Sequence, residues 1–177
     1  MTKMPDPLVS LKLVDDKIAA TTNERHLKLL NNVREHFILE TEGKDVDALM
    51  RTQVAEPYYR FWGSGTGDYG PKGAQAVRGH YQMLADKGTN RLQHDFDRII
   101  VDDHNVFVDG ELHILFPGKT CREWGLDVDD ADADYVYSYR SATVFKYDDD
   151  GNCYGEDTYS DGVPTLARLT KLETEAA

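Results

Sequence analysis

Arg91-Leu92-Gln93-His94-Asp95-Phe96-Asp97-Arg98-Ile99-Ile100-Val101 decides the fold class. Up to residue 90 the apolar positions recur at helical spacing, and from here on they alternate. The stretch reads as one strand, Asp102 to Asn105 as a turn, and Val106 to Phe116 as its antiparallel partner. Within the partner, Asp109-Gly110 is a turn dipeptide inside a strand pattern, and we read it as a bulge. Residues 117–132 read as an acidic loop. Tyr135 to Tyr147 alternates over the greatest length, and Asp149-Asp150-Gly151-Asn152 is a hairpin turn into a last strand, Cys153 to Ser160. A short helical tail is expected over residues 165–172.

Upstream, Ala74, Val77, Tyr81 and Leu84 line one face of a helix that Pro71 opens and Gly88 ends. Before it lie a Gly-rich loop, Gly63 to Gly70, and a short aromatic strand, Tyr58-Tyr59-Arg60-Phe61-Trp62. Asp45 can cap a short helix carrying Val46, Leu49 and Met50. Thr21-Thr22-Asn23-Glu24 has capping-box form and starts a helix with Leu30, Val33 and Phe37, stopped by Gly43. Residues 1–22 read as an extended N-terminal arm, residues 23–162 as the folded domain and residues 163–177 as a C-terminal tail. The class is α+β: a curved antiparallel sheet wrapped around three N-terminal helices, with a cavity between helices and concave face.

The chain has 177 residues, enough for one core, and 40% of them are hydrophobic, which excludes wholesale disorder. Acids outnumber bases 32 to 20. A formal charge of -12 repels phosphate backbones and anionic lipid, so neither nucleic acid nor membrane is expected as a partner. No apolar run approaches the ~20 residues of a membrane helix, and the N-terminal stretch lacks the pattern of a signal peptide. Cys121 and Cys153 make no CxxC, zinc spacing or disulfide framework, so reduced thiols and a cytoplasmic location are expected.

Three stretches carry a family resemblance. The aromatic strand runs through the Gly-rich loop into Pro71-Lys72-Gly73-Ala74-Gln75-Ala76-Val77-Arg78-Gly79-His80-Tyr81; Leu92-Gln93-His94 opens the long strand; the Asp-Gly hairpin leads into Glu156-Asp157-Thr158-Tyr159. Together they resemble the nuclear transport factor 2-like superfamily, its SnoaL-like branch in particular. The resemblance implies a cone-shaped α+β barrel that hosts dehydratases, isomerases, cyclases, lyases and non-catalytic carriers, often as homodimers or homotrimers. Gln93-His94 resembles the Gln-His of scytalone dehydratase, whose His is an acid/base; on that basis His94 faces the pocket with Leu92, Phe96 and Arg98. The rest of that site departs: Glu40-Thr41-Glu42 stands where a Tyr-Asp pair is expected, and Phe116 near a second His.

His94 is the leading catalytic candidate, because an imidazole exchanges protons near neutrality without a cofactor. The alternative is a structural sheet histidine. Glu42, with Glu40 nearby, is a carboxylate that an apolar cavity would turn into an acid or base; otherwise it is a solvated helix end. Tyr59, Arg60 and Trp62 would offer phenol, guanidinium and stacking surface to an aromatic ligand, or simply pack. On the longest strand, matching to scytalone dehydratase turns Arg140 inward, toward a phenolate or carboxylate; the opposite phase would turn Tyr135, Tyr137 and Tyr139 inward. Arg78, Tyr81, His113 and Tyr137 complete the expected substrate wall.

Two motifs are set aside. Gly65-Thr66-Gly67-Asp68-Tyr69-Gly70 is a literal GxGxxG, but no βαβ unit follows and Pro71 removes a donor N–H; a loop over the cavity mouth is the expectation. The acidic run Asp127 to Asp134 lacks the Gly and Glu of a calcium loop. With no metal, thiol or nucleotide motif, the reading is a cofactor-independent lyase or dehydratase acting on a small aromatic or polycyclic substrate. The overall look of the chain is also similar to γ-formaldehyde lyases of lignin-dimer catabolism. A ketosteroid-type isomerase and a non-catalytic binding protein are the alternatives.

Overall fold

The computed structural model describes residues 3–63, 65 and 67–173. Chain order is α1 (Pro7–Ala19), α2 (Glu24–Glu42), α3 (Val46–Met50), β1 (Arg60–Trp62), α4 (Gly73–Lys87), β2 (Leu92–Val101), β3 (Asn105–Pro117), α5 (Gly118–Glu123), β4 (Asp134–Tyr147), β5 (Cys153–Ser160) and β6 (Leu169–Lys171), the last preceded by one 3₁₀ turn, Leu166–Arg168. The strands form one curved sheet in the order β1-β5-β4-β3-β2. β2 through β5 are the expected antiparallel meander. β1 joins its far edge in parallel with β5.

Three local expectations are corrected. Residues 7–19 are helical, not an extended arm: Asp6 accepts from the Leu8 N–H and Pro7 opens the first turn. The buried face of α1 carries Val14 and Ser10 and packs against β2, where Ser10 Oγ accepts from the His94 N–H at 2.7 Å. Part of the acidic segment, Gly118–Glu123, is a short helix over the cavity's end. The expected helical tail is one 3₁₀ turn, Leu166–Arg168, and then a strand: β6 pairs with Tyr135–Tyr137 of β4, where β5 no longer reaches.

The bulge belongs to β2. Phe96 pairs with Gly110 and Arg98 with Asp109, so Asp97 is the extra residue. Gly110 lies opposite it because a Cβ there would stand 2.1 Å from the Asp95 carbonyl oxygen. Its place reflects close backbone approach, not a turn. The bulge also reverses phase: Leu92, His94 and Phe96 face inward, whereas Arg98 turns out and pairs with Asp109, Nε to Oδ1 at 2.9 Å. The expectation of an inward Arg98 is therefore corrected.

Three apolar clusters surround the cavity. Leu29, Leu30 and Val33 of α2 pack on Val106, Val108 and Tyr147. Val46, Leu49, Tyr59, Val77 and Tyr81 join α3, α4 and the approach to β1. Phe116, Cys121, Val128, Tyr135 and Tyr137 close the far end. Each buried aliphatic or aromatic side chain contributes roughly 1.5–3 kcal/mol. The polar groups between these clusters are held in place by packing on both sides.

Candidate active site

A cavity of about 360 Å³ lies between α1, α2 and α4 and the concave face of β2–β5. Helical spacing brings Val33, Phe37 and Glu40 of α2 to it, and His80, Tyr81 and Leu84 of α4. Period-two alternation brings Tyr137, Tyr139, Ser141, Thr143 and Phe145 of β4, and Glu156, Thr158 and Ser160 of β5. Among the described residues, no lysine or arginine lines it.

The polar wall centres on Glu156. Thr52 Oγ1 donates to the Leu49 carbonyl at 2.7 Å, so it can only accept from His36 Nδ1–H at 2.8 Å. That places the ring proton on Nδ1 and leaves Nε2 with a lone pair. The Tyr81 hydroxyl stands 2.9 Å from Nε2, 2.9 Å from the Tyr59 hydroxyl and 3.4 Å from Glu156 Oε1. Glu156 Oε1 is itself 3.3 Å from His36 Nε2. An ionised Glu156 would set a carboxylate oxygen against that lone pair, so the cluster is satisfied when Glu156 keeps its proton.

Electrostatics agree. Burial pushes His36 down to about 4 and Glu156 up to about 7, with the Tyr59 and Tyr81 hydroxyls and Lys146 opposing part of the second shift. Glu40 is pushed up to about 8 by burial and then by the Glu156 charge. The Glu40 carboxyl makes no hydrogen bond to the described residues; Asn90 reaches only its main-chain oxygen. His94 lies across the cavity, 6% exposed, with Nε2 buried and unpartnered and its ring 4.4 Å from that of Phe96. Burial pushes it down to about 4, so it is neutral at pH 7. His80 is likewise lowered to about 4 by burial. The wall can thus present a protonated carboxyl and a neutral imidazole to one bound molecule.

Among the sequence candidates, His94, Tyr81 and Tyr137 line the cavity. Tyr59 does not line the cavity: it is fully buried, its hydroxyl against the Tyr81 hydroxyl and the Glu156 carboxyl. The rest are corrected. Glu42 is exposed: on α2 the inward stripe runs Val33, His36, Glu40, and two residues further turns about 200° away. Arg140 is on the outer sheet face, bonded to Asp97 at 2.7 Å, because the tyrosines take the inward phase of β4. Arg60 is outward near Asp157 at 3.9 Å, and Trp62 stacks on Tyr159 at 4.7 Å away from the cavity. Arg78 is exposed and paired with Asp47. His113 lies on the outer face, bonded to Ser138 Oγ at 2.8 Å. The loop at the expected mouth is partly traced: Tyr69 lines the cavity, while Ser64 and Thr66 lie outside the described residues.

The sequence reading did not place Glu156 on the cavity wall or His36 behind it. Glu156, Thr158 and Ser160 are polar at period two, which reads as a solvent face; here that face is the cavity wall. The signal for His36 was a histidine and a glutamate inside the apolar stripe of α2. Among the described residues, no group of three or more His, Cys, Asp or Glu side chains could hold a metal ion. No described helix is long and apolar enough to cross a membrane.

No protein-family model and no curated protein sequence matches this chain. Solved structures do. The epoxide hydrolase/cyclase-like enzyme SalBIII, of pyran ring formation in the polyether salinomycin, is 14% identical with a TM-score of 0.55, over 82% of this chain and 96% of its own. An NTF2-like protein from Anabaena variabilis is 14% identical, TM-score 0.54, over 81% and 95%. A Xanthomonas campestris protein provisionally named a polyketide cyclase is 16% identical, TM-score 0.58, over 77% and 92%. At these identities the likeness is one of fold: the chain has the cone-shaped α+β fold of these NTF2-like and SnoaL-like structures.

Proposed function

We propose that the protein is a cofactor-independent acid/base enzyme, a lyase or dehydratase, for a small aromatic or polycyclic substrate. One observation carries this: the Glu40 carboxyl opens unpartnered onto an apolar cavity, its pKa raised by burial and then by the charge of a second buried carboxyl, Glu156. A non-catalytic carrier would instead have its inward polar groups paired with one another. Glu40 holds a proton at neutral pH and gives it to a departing hydroxyl. Neutral His94 takes a proton at the other end of the substrate. Tyr81, braced by Tyr59 and His36, donates to oxygen on which charge develops.

The finer reading is a γ-formaldehyde lyase. A 1,2-diaryl-1,3-propanediol loses its benzylic hydroxyl as water after protonation by Glu40. His94 takes the terminal hydroxyl proton. The C–C electrons then form the stilbene double bond, and the terminal carbon leaves as formaldehyde. A ketosteroid-type isomerase is the second reading, since a carboxyl and a phenol pair share the cavity. The two differ in the state of Glu40: an acid must be protonated, an isomerase base ionised. A homodimer or homotrimer in the cytoplasm is the setting proposed.

The test offers a diarylpropanediol and a Δ5-3-ketosteroid to the purified protein and measures formaldehyde, stilbene and enone. Formaldehyde release in chelator, falling above about pH 8 as Glu40 ionises, supports the lyase. Enone formation rising through the same range supports the isomerase, and turnover restored only by an added metal sinks both.

A further inference from the structure

We infer that the cavity takes an uncharged molecule with an apolar body and two separate polar groups, and excludes carboxylates and phosphates. This rests on the proposed site and names the chemistry of its ligand. Apart from the Tyr137 hydroxyl, which faces the Arg168 guanidinium, two groups in the cavity are unmatched. His94 Nε2 is buried without a partner, and the Glu40 carboxyl meets no hydrogen-bonding group of the described protein. Native interiors leave few polar atoms in this state, and a functional site is a standing reason for one. The two belong to different walls, β2 and α2, so one polar substituent cannot serve both unless the ligand carries a second.

The ligand's charge follows from what is missing around it. Among the described residues every cation is kept off the lining. Arg140 is held by Asp97, Arg98 by Asp109, and Lys146 by Asp157, all on the outer side of the sheet. Arg168, whose guanidinium acts on the Tyr137 hydroxyl, is bonded to Asp161. An anion entering would lose its water, find no counter-charge, and face two carboxyls that already resist ionisation beside each other. A cation is also disfavoured, because Glu40 is neutral at pH 7 and His80 and His94 offer only neutral rings. The ring-lined remainder, with Phe61, Phe116, Trp124 and Tyr139, suits aromatic groups on the ligand.

Three probes of similar size separate the possibilities: hydrobenzoin with two hydroxyls, bibenzyl with none, and 2,3-diphenylpropanoate with one negative charge. Binding is read at pH 7 by calorimetry and by Trp124 fluorescence, with no turnover required, so failure of the catalytic reading leaves this result standing. Hydrobenzoin should bind about tenfold or more tighter than bibenzyl, and the carboxylate at least about a hundredfold weaker than hydrobenzoin. His94→Leu should weaken hydrobenzoin toward bibenzyl and leave the affinity of bibenzyl unchanged. Equal affinity of hydrobenzoin and the carboxylate overturns the inference, as does binding of bibenzyl as tightly as hydrobenzoin, or binding of none of the three.

Discussion

Glu156 Oε1 stands 3.3 Å from His36 Nε2, and one proton between them is what keeps two lone pairs from facing each other. The tautomer of His36 is set from behind by Thr52, whose own proton is spent on the Leu49 carbonyl. Burial favours the neutral Glu156 carboxyl, His36 Nε2 is placed to accept its proton, and any charge on Glu156 adds to burial in raising the pKa of Glu40, which faces the cavity.

Stability should peak near pH 6.5. His36, His80 and His94 have folded pKa values depressed from 6.5 to about 4, so their contribution is present above 6.5 and lost as pH falls. Glu156 and Glu40 are raised from 4.5 to about 7 and about 8, so theirs is present below 4.5 and lost as pH rises. Between 4.5 and 6.5 three histidines outweigh two carboxyls and stability climbs; above 6.5 only the carboxyls act and it falls. The slope is of order 1 kcal/mol per pH unit for each uncompensated proton. Thermal melts from pH 5 to 9 should trace a dome, and a flat profile would refute this assignment of buried groups.

Glu40→Gln and Glu156→Gln should each lower turnover by ~10²–10⁴, the range of a lost acid or base. Neither should lower the melting temperature at pH 8.5, because each exchanges a carboxyl that burial resists ionising for a neutral group of the same shape. Glu42→Gln and Arg140→Ala should change turnover by no more than about twofold, as surface substitutions do. Turnover that survives in both buried variants would remove the carboxyl pair from the chemistry.

The fold was legible because alternation and helical spacing report burial directly, and the cavity makes both patterns strong over α2, α4 and β2. Legibility ended where the cavity itself acts as the outside. Polar Glu156, Thr158 and Ser160 mimic a solvent face, and Arg140 and the β4 tyrosines are equally consistent with alternation in either phase. The phase of β2 past Phe96 depends on one extra residue, Asp97, that sequence spacing alone does not reveal. Helix α1 was missed because scattered aliphatics beside Pro5, Pro7 and several aspartates read as coil, and packing on β2 stabilises it.

Two glycine-to-alanine changes should move stability in opposite directions. At Gly110 a Cβ would lie 2.1 Å from the Asp95 carbonyl oxygen and 2.9 Å from Phe96 Cα, both backbone, so Gly110→Ala must force the β2 bulge open. A loss of ~3 kcal/mol or more is expected. At Gly79, inside α4, nothing lies within 4 Å, and Gly79→Ala should gain up to ~1 kcal/mol from helix propensity. Urea midpoints of the two variants check both signs, and a tolerated Gly110→Ala would contradict the bulge register.

His94→Ala should abolish most turnover and leave the fold largely intact, with ligand affinity falling by no more than the roughly tenfold that one hydrogen bond supplies. The side chain makes no protein hydrogen bond through Nε2, and its strand is held by the main-chain N–H bond to Ser10, which survives substitution. What is lost in stability is then mainly contact with Phe96. A group acting in proton transfer stabilises the transition state more than bound substrate, worth ~10²–10⁴ in rate. His94→Gln keeps a hydrogen-bonding tip but cannot exchange a proton near neutral pH, so it should be nearly as inactive. A purely structural histidine would behave in reverse, with Gln tolerated and Ala lowering melting temperature and activity together. Turnover and thermal melts of both variants separate the two, and a fully active Gln variant would take His94 out of the mechanism and leave proton transfer to Glu40 and Glu156.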